Sequence, residues 1–335
     1  MSYSEFDETG MRKFRWNLNV GRQPWGFALN AEVWNGRVAM MGFVWVCVQE
    51  IVQGKGCITR IQEAQGFGDL VAPIAIGGVF FALRQSNFSI TGGGTVNGGG
   101  AKWNNDARRA HFLEFFFCSD VVVEDLTIKN SSQWTLRPSY SQRLDFRRLT
   151  ILGDTTGANH HNTDGFDPWA SKDVTFADSY YEAGDDCVAV KSGKNDDPRP
   201  WEQECGVPCE NIFVSNVTCA HAHGLTVGSE IASGIRNVTF VNVVVNAGSP
   251  VKLKSQCGRG AYVRDVLYEN ITGLNIDGSA VWLDMEYGDG STDPCPENET
   301  SVFDNVTVRN LVVHLSLIHI SEPTRQEAIS YAVFC

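Results

Sequence analysis

Two short acidic motifs near the middle of the chain carry side chains suited to acid–base chemistry. The first, Asn162–Gly165, reads Asn-Thr-Asp-Gly, and the second, Gly184–Cys187, reads Gly-Asp-Asp-Cys. They lie about one solenoid coil apart, so Asp164, Asp185 and Asp186 are predicted to share one face. Hydrolysis of a glycosidic bond needs a carboxylic acid that protonates the leaving oxygen and a carboxylate that activates water. Crowding of these like charges is expected to raise the pKa of at least one of them.

The elements that position these motifs are predicted to be short strands in a parallel stack. A polar turn followed by a short strand recurs at variable intervals, helical periodicity is absent, and runs such as Val241–Val245 favour strands. A β-sandwich also contains many short strands, but a repeat with loops of variable length favours a solenoid. The repeats begin at Asp120, Arg143, Asp173, Asn211, Asn237, Asp265 and Asn305.

The charge of the chain limits its partners. The 335 residues carry a formal net charge of -12, which argues against nucleic acid because phosphate binding needs a basic stripe. The same charge repels an acidic polysaccharide unless a local cationic patch is present. The sequence offers such a patch at Lys252, Lys254, Arg259 and Arg264.

The cysteines indicate an oxidising compartment. The chain has 10 cysteines without a Cys-x-x-Cys pair, which makes a zinc site a poor explanation for them. Connectivity does not follow from the sequence, and we predict the pairs Cys187 with Cys219 and Cys205 with Cys209. Several Asn-x-Ser/Thr sites suit either glycosylation or the satisfaction of turn backbone groups inside the solenoid. These sites include Asn87, Asn130, Asn216, Asn270 and Asn298.

Four motifs, taken in order, resemble those of the polygalacturonases, glycoside hydrolase family 28. They are Asn162–Asp167, Gly184–Cys187, Ala222–Gly224 with Gly228-Ser229, and Lys252–Lys254. The resemblance covers residues 85–314. It implies an all-β fold, a right-handed parallel β-helix, and a monomer that acts on pectin or polygalacturonate. It also implies inverting hydrolysis of α-1,4-galacturonosyl linkages without a metal or organic cofactor.

The resemblance assigns roles to individual residues. It implies that Asp185 is the general acid and that Asp164 and Asp186 hold and activate the water. His223 would hydrogen-bond the acid or its neighbour and tune its protonation. His221 lies two residues away and would point the same way on a strand, so the sequence leaves it open as an alternative.

The resemblance also implies substrate-binding residues. Lys252 and Lys254 stand where the family has Arg-Ile-Lys, whose cations bind the sugar carboxylate; lysine keeps the charge but lacks the bidentate fork. Two solvated surface lysines are the alternative. Asn162 and Arg259 complete the predicted substrate-binding set. Ala222 replaces the first glycine of the family's Gly-His-Gly pattern. Its methyl group restricts the backbone dihedral angles available beside the histidine.

The N-terminal segment, residues 1–65, has a different character. Glu32–Met40 resembles the signature of one-helix, high-light-induced proteins of the chlorophyll a/b-binding superfamily. That resemblance implies an N-terminal hydrophobic α-helix in a thylakoid membrane, chlorophyll magnesium ligated by Glu32 and Asn35, and Arg37 paired with a second helix. The apolar run Val38–Val48 is shorter than the roughly 18–20 residues of a lone span, so a buried helix of a soluble domain is the alternative.

The chain therefore divides into four parts. Residues 1–65 form the chlorophyll-binding-like segment, 66–84 an apolar junction, 85–314 the β-helix, and 315–335 a tail that resembles a translated sequencing adapter. The polar start shows no signal peptide, although the hydrolase part resembles extracellular, cell-wall enzymes. A thylakoid helix and a secreted hydrolase need opposite destinations, so we expect an assembly chimera.

Two other functions remain open from the sequence. Calcium-dependent pectate lyases also use parallel β-helices with acidic clusters, but a basic residue abstracts a proton in that reaction. Alternatively, the chain is a membrane pigment-binding module with an inert remainder. Chelator sensitivity with an unsaturated product would favour the lyase, and co-purifying chlorophyll without sugar release would favour the pigment-binding module.

Overall fold

A computed structural model describes residues 80–100, 109–155, 161–194, 206–288, 295–296, 299–316 and 329–331. The predicted N-terminal helix, with Glu32, Asn35 and Arg37, lies outside the described residues, as do Cys205 and most of the tail. Among the residues that the structure describes, no helix is long and apolar enough to cross a membrane.

The described residues form nineteen strands. They are β1 (Phe80–Leu83), β2 (Ser86–Ile90), β3 (Thr95–Asn97), β4 (Leu113–Phe116), β5 (Ser119–Lys129), β6 (Leu136–Ser139), β7 (Gln142–Leu152), β8 (Lys172–Ala177), β9 (Tyr180–Glu182), β10 (Val188–Val190), β11 (Cys209–Ser215), β12 (Thr218–His221), β13 (Gly224–Val227), β14 (Ile235–Asn246), β15 (Ser249–Lys254), β16 (Tyr262–Ile276), β17 (Val281–Asp284), β18 (Val302–Leu315) and β19 (Ile329–Tyr331).

The strands form a long sheet and two smaller sheets. The long sheet has twelve strands and contains the pairings of β5, β7, β8, β11, β14, β16 and β18. The smaller sheets are β1-β4-β6 and β10-β13-β15-β17. Residues Phe166 and Trp169 link them, because each forms a parallel bridge to β6 on one side and to β10, or to the residue that follows it, on the other. We call this linked face the site sheet. Every described strand pairing is parallel except β18 with β19, so the predicted parallel solenoid is confirmed.

Apolar side chains stack in register inside the solenoid. Phe146 pairs with Phe176 and Phe240 with Tyr268 across neighbouring coils, and the ring centroids of Phe240 and Tyr268 lie 4.6 Å apart. Alternation along each strand sends one side chain inward and the next outward. Each coil therefore adds one inward side chain to a row that runs the length of the core. One such row is fully buried and consists of Val123, Phe146, Phe176, Val214, Phe240 and Tyr268.

Bends within the long strands and between shorter ones use left-handed backbone and ladders of polar side chains. Asn216 donates to Asp178, Asn242 to Asn216, Asn270 to Asn242, and Asn310 to Asn270, at sequence separations of 38, 26, 28 and 40 residues. Asparagine and aspartate tolerate positive φ, and their side chains satisfy one another from coil to coil. The first residue of each predicted repeat occupies an equivalent bend, with φ between 49° and 57°.

The structure bears on the start of the β-helix and on the cysteines. The first described strand begins at Phe80, before the boundary predicted at residue 85, and pairs in parallel with β4. The disulfide Cys187–Cys219 is confirmed. The pair Cys205 with Cys209 is wrong, because Cys209 is a free, buried thiol beside the Pro168 carbonyl. Burial raises its pKa to about 12. A second disulfide, Cys257–Cys295, was not expected from the sequence.

Candidate active site

The register of the site sheet brings the three predicted aspartates together. Phe166 bridges Val188 on the next coil, and Asp164 and Asp186 each precede those residues by two positions. Both therefore lie at the same edge of the sheet. One carboxylate oxygen from each of Asp164, Asp185 and Asp186 lies within 4.8 Å of the others.

Asp186 is held by two buried lysines. Its Oδ1 accepts from Lys252 Nζ at 3.1 Å, and its Oδ2 accepts from Lys254 Nζ at 3.0 Å. All three residues are buried, so the alternative of solvated surface lysines is wrong. Burial by itself raises the pKa of Asp186, but the charges of Lys254, Lys252 and Lys191 outweigh it and hold that pKa far below its usual range.

Asp185 has a donor on each carboxylate oxygen. Oδ1 lies 3.2 Å from His223 Nδ1 and accepts the backbone N–H of Asp186 at 2.8 Å, while Oδ2 accepts the backbone N–H of Asn162 at 3.0 Å. Burial raises the pKa of Asp185, but the hydrogen bond and charge of His223 and the backbone N–H of Asp186 together outweigh it, so this pKa is lowered. The same contact raises the pKa of His223. Asp185 exposes 13% of its side chain and Asp186 only 1%, so Asp185 is the more accessible.

Asp164 carries the raised pKa among the three. It is buried, and its Oδ1 has no hydrogen-bond partner within the described part of the chain. Burial, followed by the charges of Asp167 and Asp185, raises its pKa well above the usual range. Burial also raises the pKa of Asp167 well above normal, against the opposing charge of Lys191. The crowding expected from the sequence thus gives a net rise at Asp164, whereas at Asp185 other contacts outweigh it.

A buried ion-pair cluster beside Asp164 was missed by the sequence reasoning. Lys191 Nζ lies 3.0 Å from Glu230 Oε2 and 3.7 Å from Asp167 Oδ1, and 4.6 Å from the ring centroid of Trp134. Burial raises the pKa of Glu230, but the charges of Lys191, Lys194 and Lys254 together outweigh it and lower that pKa to about 2. A lysine directly after the apolar strand β10 was the available signal, because a lysine buried beside such a strand needs an opposite charge as its partner.

The structure separates the two histidines. His221 Nδ1 lies 2.8 Å from the carbonyl oxygen of Ala183, whereas His223 contacts the carboxylate of Asp185. The methyl group of Ala222 is accommodated in a buried position beside them. Gly228 is required on the other side of the site, because at its φ of 106° a Cβ would lie 1.7 Å from the backbone oxygen of Lys254.

The side chains of the remaining predicted residues make other contacts. Arg259 is buried and its guanidinium donates to the Gln256 side chain. Arg264 lies over the Tyr262 ring, 4.0 Å from its centroid. The Oδ1 of Asn162 accepts from Arg109 Nη2 at 3.4 Å. The described contacts thus bring Lys252 and Lys254 against the acidic cluster.

The arrangement suits proton transfer more than cation binding. The three carboxylates are close enough to share a metal ion, but two lysines already neutralise Asp186. A partly exposed carboxyl beside His223 and a buried carboxyl with a raised pKa provide two groups of different basicity at one point.

Comparison with known proteins identifies the family of the chain. The model of "Glycosyl hydrolases family 28" matches residues 76–316. A probable polygalacturonase of Vitis vinifera is 28% identical over 75% of this chain and 51% of its own length. Endopolygalacturonase I of Aspergillus aculeatus is 31% identical over 65% of this chain and 57% of its own length.

A solved structure has the same fold. The exopolygalacturonase of Thermotoga maritima superposes with a TM-score of 0.55 at 24% identity, over 69% of this chain and 60% of that one. The coils therefore form a right-handed parallel β-helix. The chain spans between half and three fifths of the length of these two curated relatives. With its family model matched over most of its length, the chain belongs to glycosyl hydrolases family 28.

Proposed function

We propose that this protein hydrolyses α-1,4-galacturonosyl linkages of polygalacturonate. The observation that carries the proposal is the convergence of Asp164, Asp185 and Asp186 within 4.8 Å, beside buried Lys252 and Lys254. The relatives named as polygalacturonases support the same substrate class. Each lysine ammonium has three donors, so it can bind a sugar carboxylate while it still bonds Asp186.

In the proposed reaction, Asp185 gives its proton to the glycosidic oxygen as the bond from that oxygen to C1 breaks. Asp185 is chosen because it is more exposed than Asp186 and because His223 contacts it. A water held by Asp164 and Asp186 attacks C1 from the opposite side. Its proton passes to the ionised form of Asp164, which is the stronger base of the two because its pKa is raised while that of Asp186 is lowered. This step therefore requires a pH at which Asp164 has lost its own proton.

The lowered pKa of Asp185 in the free protein must rise before it can act as an acid. Polygalacturonate brings its own carboxylates into the groove, and nearby negative charge raises the pKa of a carboxyl group. Substrate binding therefore protonates Asp185, with His223 as the adjacent proton-carrying partner.

We infer inversion of configuration at C1. A separation below 4.8 Å is shorter than the roughly 6.5–9.5 Å common in inverting glycosidases and closer to the roughly 5–5.5 Å of retaining ones. Retention, however, needs a free carboxylate as nucleophile. Both oxygens of Asp186 accept from lysines and Asp164 is buried, so neither carboxylate is free to bond C1 directly, although both can hold a water molecule.

A comparison of variants tests the function. The full chain should release reducing sugar from polygalacturonate, Asp185→Asn should abolish release, and Asp120→Asn, a remote partner of Arg143, should retain it. Equal release by Asp185→Asn and the parent would refute the proposal. The calcium-dependent lyase is not favoured, because Lys252 and Lys254 already bond both oxygens of Asp186. An unsaturated product whose formation stops when a chelator is added would support the lyase instead.

We also propose an extracellular, cell-wall location for the β-helix, and that its union with residues 1–65 arose by assembly. Amplification of genomic DNA across residues 55–90 tests the second point, since a continuous product of the expected size would contradict it. Chlorophyll that co-purifies with the full chain would support the roles of Glu32, Asn35 and Arg37.

A further inference from the structure

The segment that precedes Asp164 is fixed by an arginine from an earlier part of the chain. Arg109 Nη1 donates to the His161 carbonyl at 2.7 Å and to the Ser132 carbonyl at 3.2 Å. Its Nη2 donates to Asn162 Oδ1 at 3.4 Å. One guanidinium therefore joins the turn at Ser132 to the turn at His161 and Asn162.

The clamped turn contacts the proposed acid. The backbone N–H of Asn162 donates to Asp185 Oδ2 at 3.0 Å, while Oδ1 is bonded by His223 and by the backbone of Asp186. Asn162 has φ of 56°, a left-handed conformation that asparagine tolerates. The contacts of Arg109 hold this turn from outside and fix the direction of the N–H.

We propose that Arg109 is a positioning residue that orients the Asp185 carboxyl through the backbone of Asn162. This inference rests on the proposed function, in which Asp185 is the acid. It also changes the role of Asn162: its side chain serves as an anchor for Arg109, and its backbone serves the acid, in addition to any contact with substrate.

The chemistry of the clamp requires arginine. A planar guanidinium presents several N–H groups in a fixed fork and can reach two carbonyls and an amide oxygen at once. A lysine at this position keeps the charge but presents a single nitrogen, so it can restore only part of the clamp. Acid catalysis is sensitive to such losses, because a misplacement of about 1 Å can lower the rate by about 100-fold.

The test compares Arg109→Met, Arg109→Lys and the control Arg236→Met in the full chain. Arg236 bonds Glu210 on the long sheet, and no part of the proposed site uses it. We expect Arg109→Met to lower kcat on polygalacturonate by about 10- to 100-fold, with KM changed by less than about threefold. Arg109→Lys should be intermediate, and Arg236→Met should match the parent.

The pH profile distinguishes orientation from general loosening. The N–H of Asn162 favours the charged form of Asp185, so its displacement raises the pKa of that group. The basic limb of kcat/KM should then move to higher pH in Arg109→Met. A fall in kcat without that movement, or a rise in KM with kcat unchanged, would overturn the inference.

Two further results complete the design. Thermal unfolding of each variant shows whether it is folded; if Arg109→Met is not, the same criteria are applied to Arg109→Lys. Asp185→Asn is assayed in parallel. Activity in Asp185→Asn would refute the proposed function, whereas an inactive Asp185→Asn together with a fully active Arg109→Met would refute only the positioning role.

Discussion

The same substitution at two neighbouring aspartates should change stability in opposite directions. Asp186 neutralises Lys252 and Lys254, which are buried and lie 3.1 and 3.0 Å from its oxygens. Asp186→Asn keeps the volume but leaves two buried ammonium groups without their anion. Removal of one partner from a buried pair costs about 3–5 kcal/mol. For a domain of this size that corresponds to a fall in Tm of about 6–20 °C.

Asp164→Asn should instead increase the free energy of unfolding at neutral pH. Burial and the nearby carboxylates raise the pKa of Asp164, so its ionised form is disfavoured in the folded protein. A neutral amide removes that penalty, and it can donate to Asp167. The gain should grow as pH rises above about 3.9, the unfolded pKa, because a raised folded pKa costs stability only where the unfolded group ionises.

The pH dependence of stability at Asp186 has the opposite sign. Its lowered pKa stabilises the folded protein at pH values above about 3.9, the pKa in the unfolded chain, and this stabilisation is lost as the pH falls through the folded pKa. The deficit of Asp186→Asn should therefore shrink in strong acid. Asp185→Asn is the control: it should be inactive like the others, but its pairing with half-exposed His223 is worth less than about 1 kcal/mol.

Thermal and urea unfolding of the three variants between pH 3 and pH 8 provides the measurement. Equal stability of Asp186→Asn and Asp185→Asn at pH 7 would refute the electrostatic account of the lysine clamp. A loss of stability in Asp164→Asn at neutral pH would refute the raised pKa of Asp164.

Three further predictions concern catalysis. His223→Ala should lower kcat/KM by at least about tenfold, whereas His221→Ala should stay within about twofold because its ring contacts a backbone carbonyl; equal effects in steady-state assays would contradict this assignment. The basic limb of kcat should lie at higher pH than that of kcat/KM, because kcat reports the substrate complex, in which Asp185 has the raised pKa; coincident limbs would show that substrate does not perturb it. Proton NMR of the first product from the α-linked polymer should show the β anomer, and a first-formed α anomer would indicate retention.

The sequence was informative where the chemistry is local. The repeat of a polar bend followed by a short apolar strand indicates the parallel solenoid, because each coil needs a residue that tolerates left-handed backbone, such as Asp173 or Asn211. The pair Asp185-Asp186 and the spacing to Asp164 indicate the acidic site. Residues stacked on neighbouring coils are separated by 23 to 40 positions in the chain. The sequence shows these separations only as repeats of variable length, without the pairing of individual residues.

The tertiary structure was needed wherever partners come from different coils. Lys252 and Lys254 lie 66 and 68 residues from Asp186, and only the stacking register shows that both bond its carboxylate. The pKa is raised at Asp164 and lowered at Asp185, and this difference depends on burial and on the positions of the surrounding charges in space.

The sequence by itself determined the type of fold, the family resemblance and the three aspartates, because strand periodicity and motif spacing are written along the chain. The structure alone decided which cation neutralises which acid, that Cys209 is a free thiol, and that Arg109 reaches the turn at Asn162. The physical reason is that insertions between coils change the sequence distance of two residues without changing their distance in space.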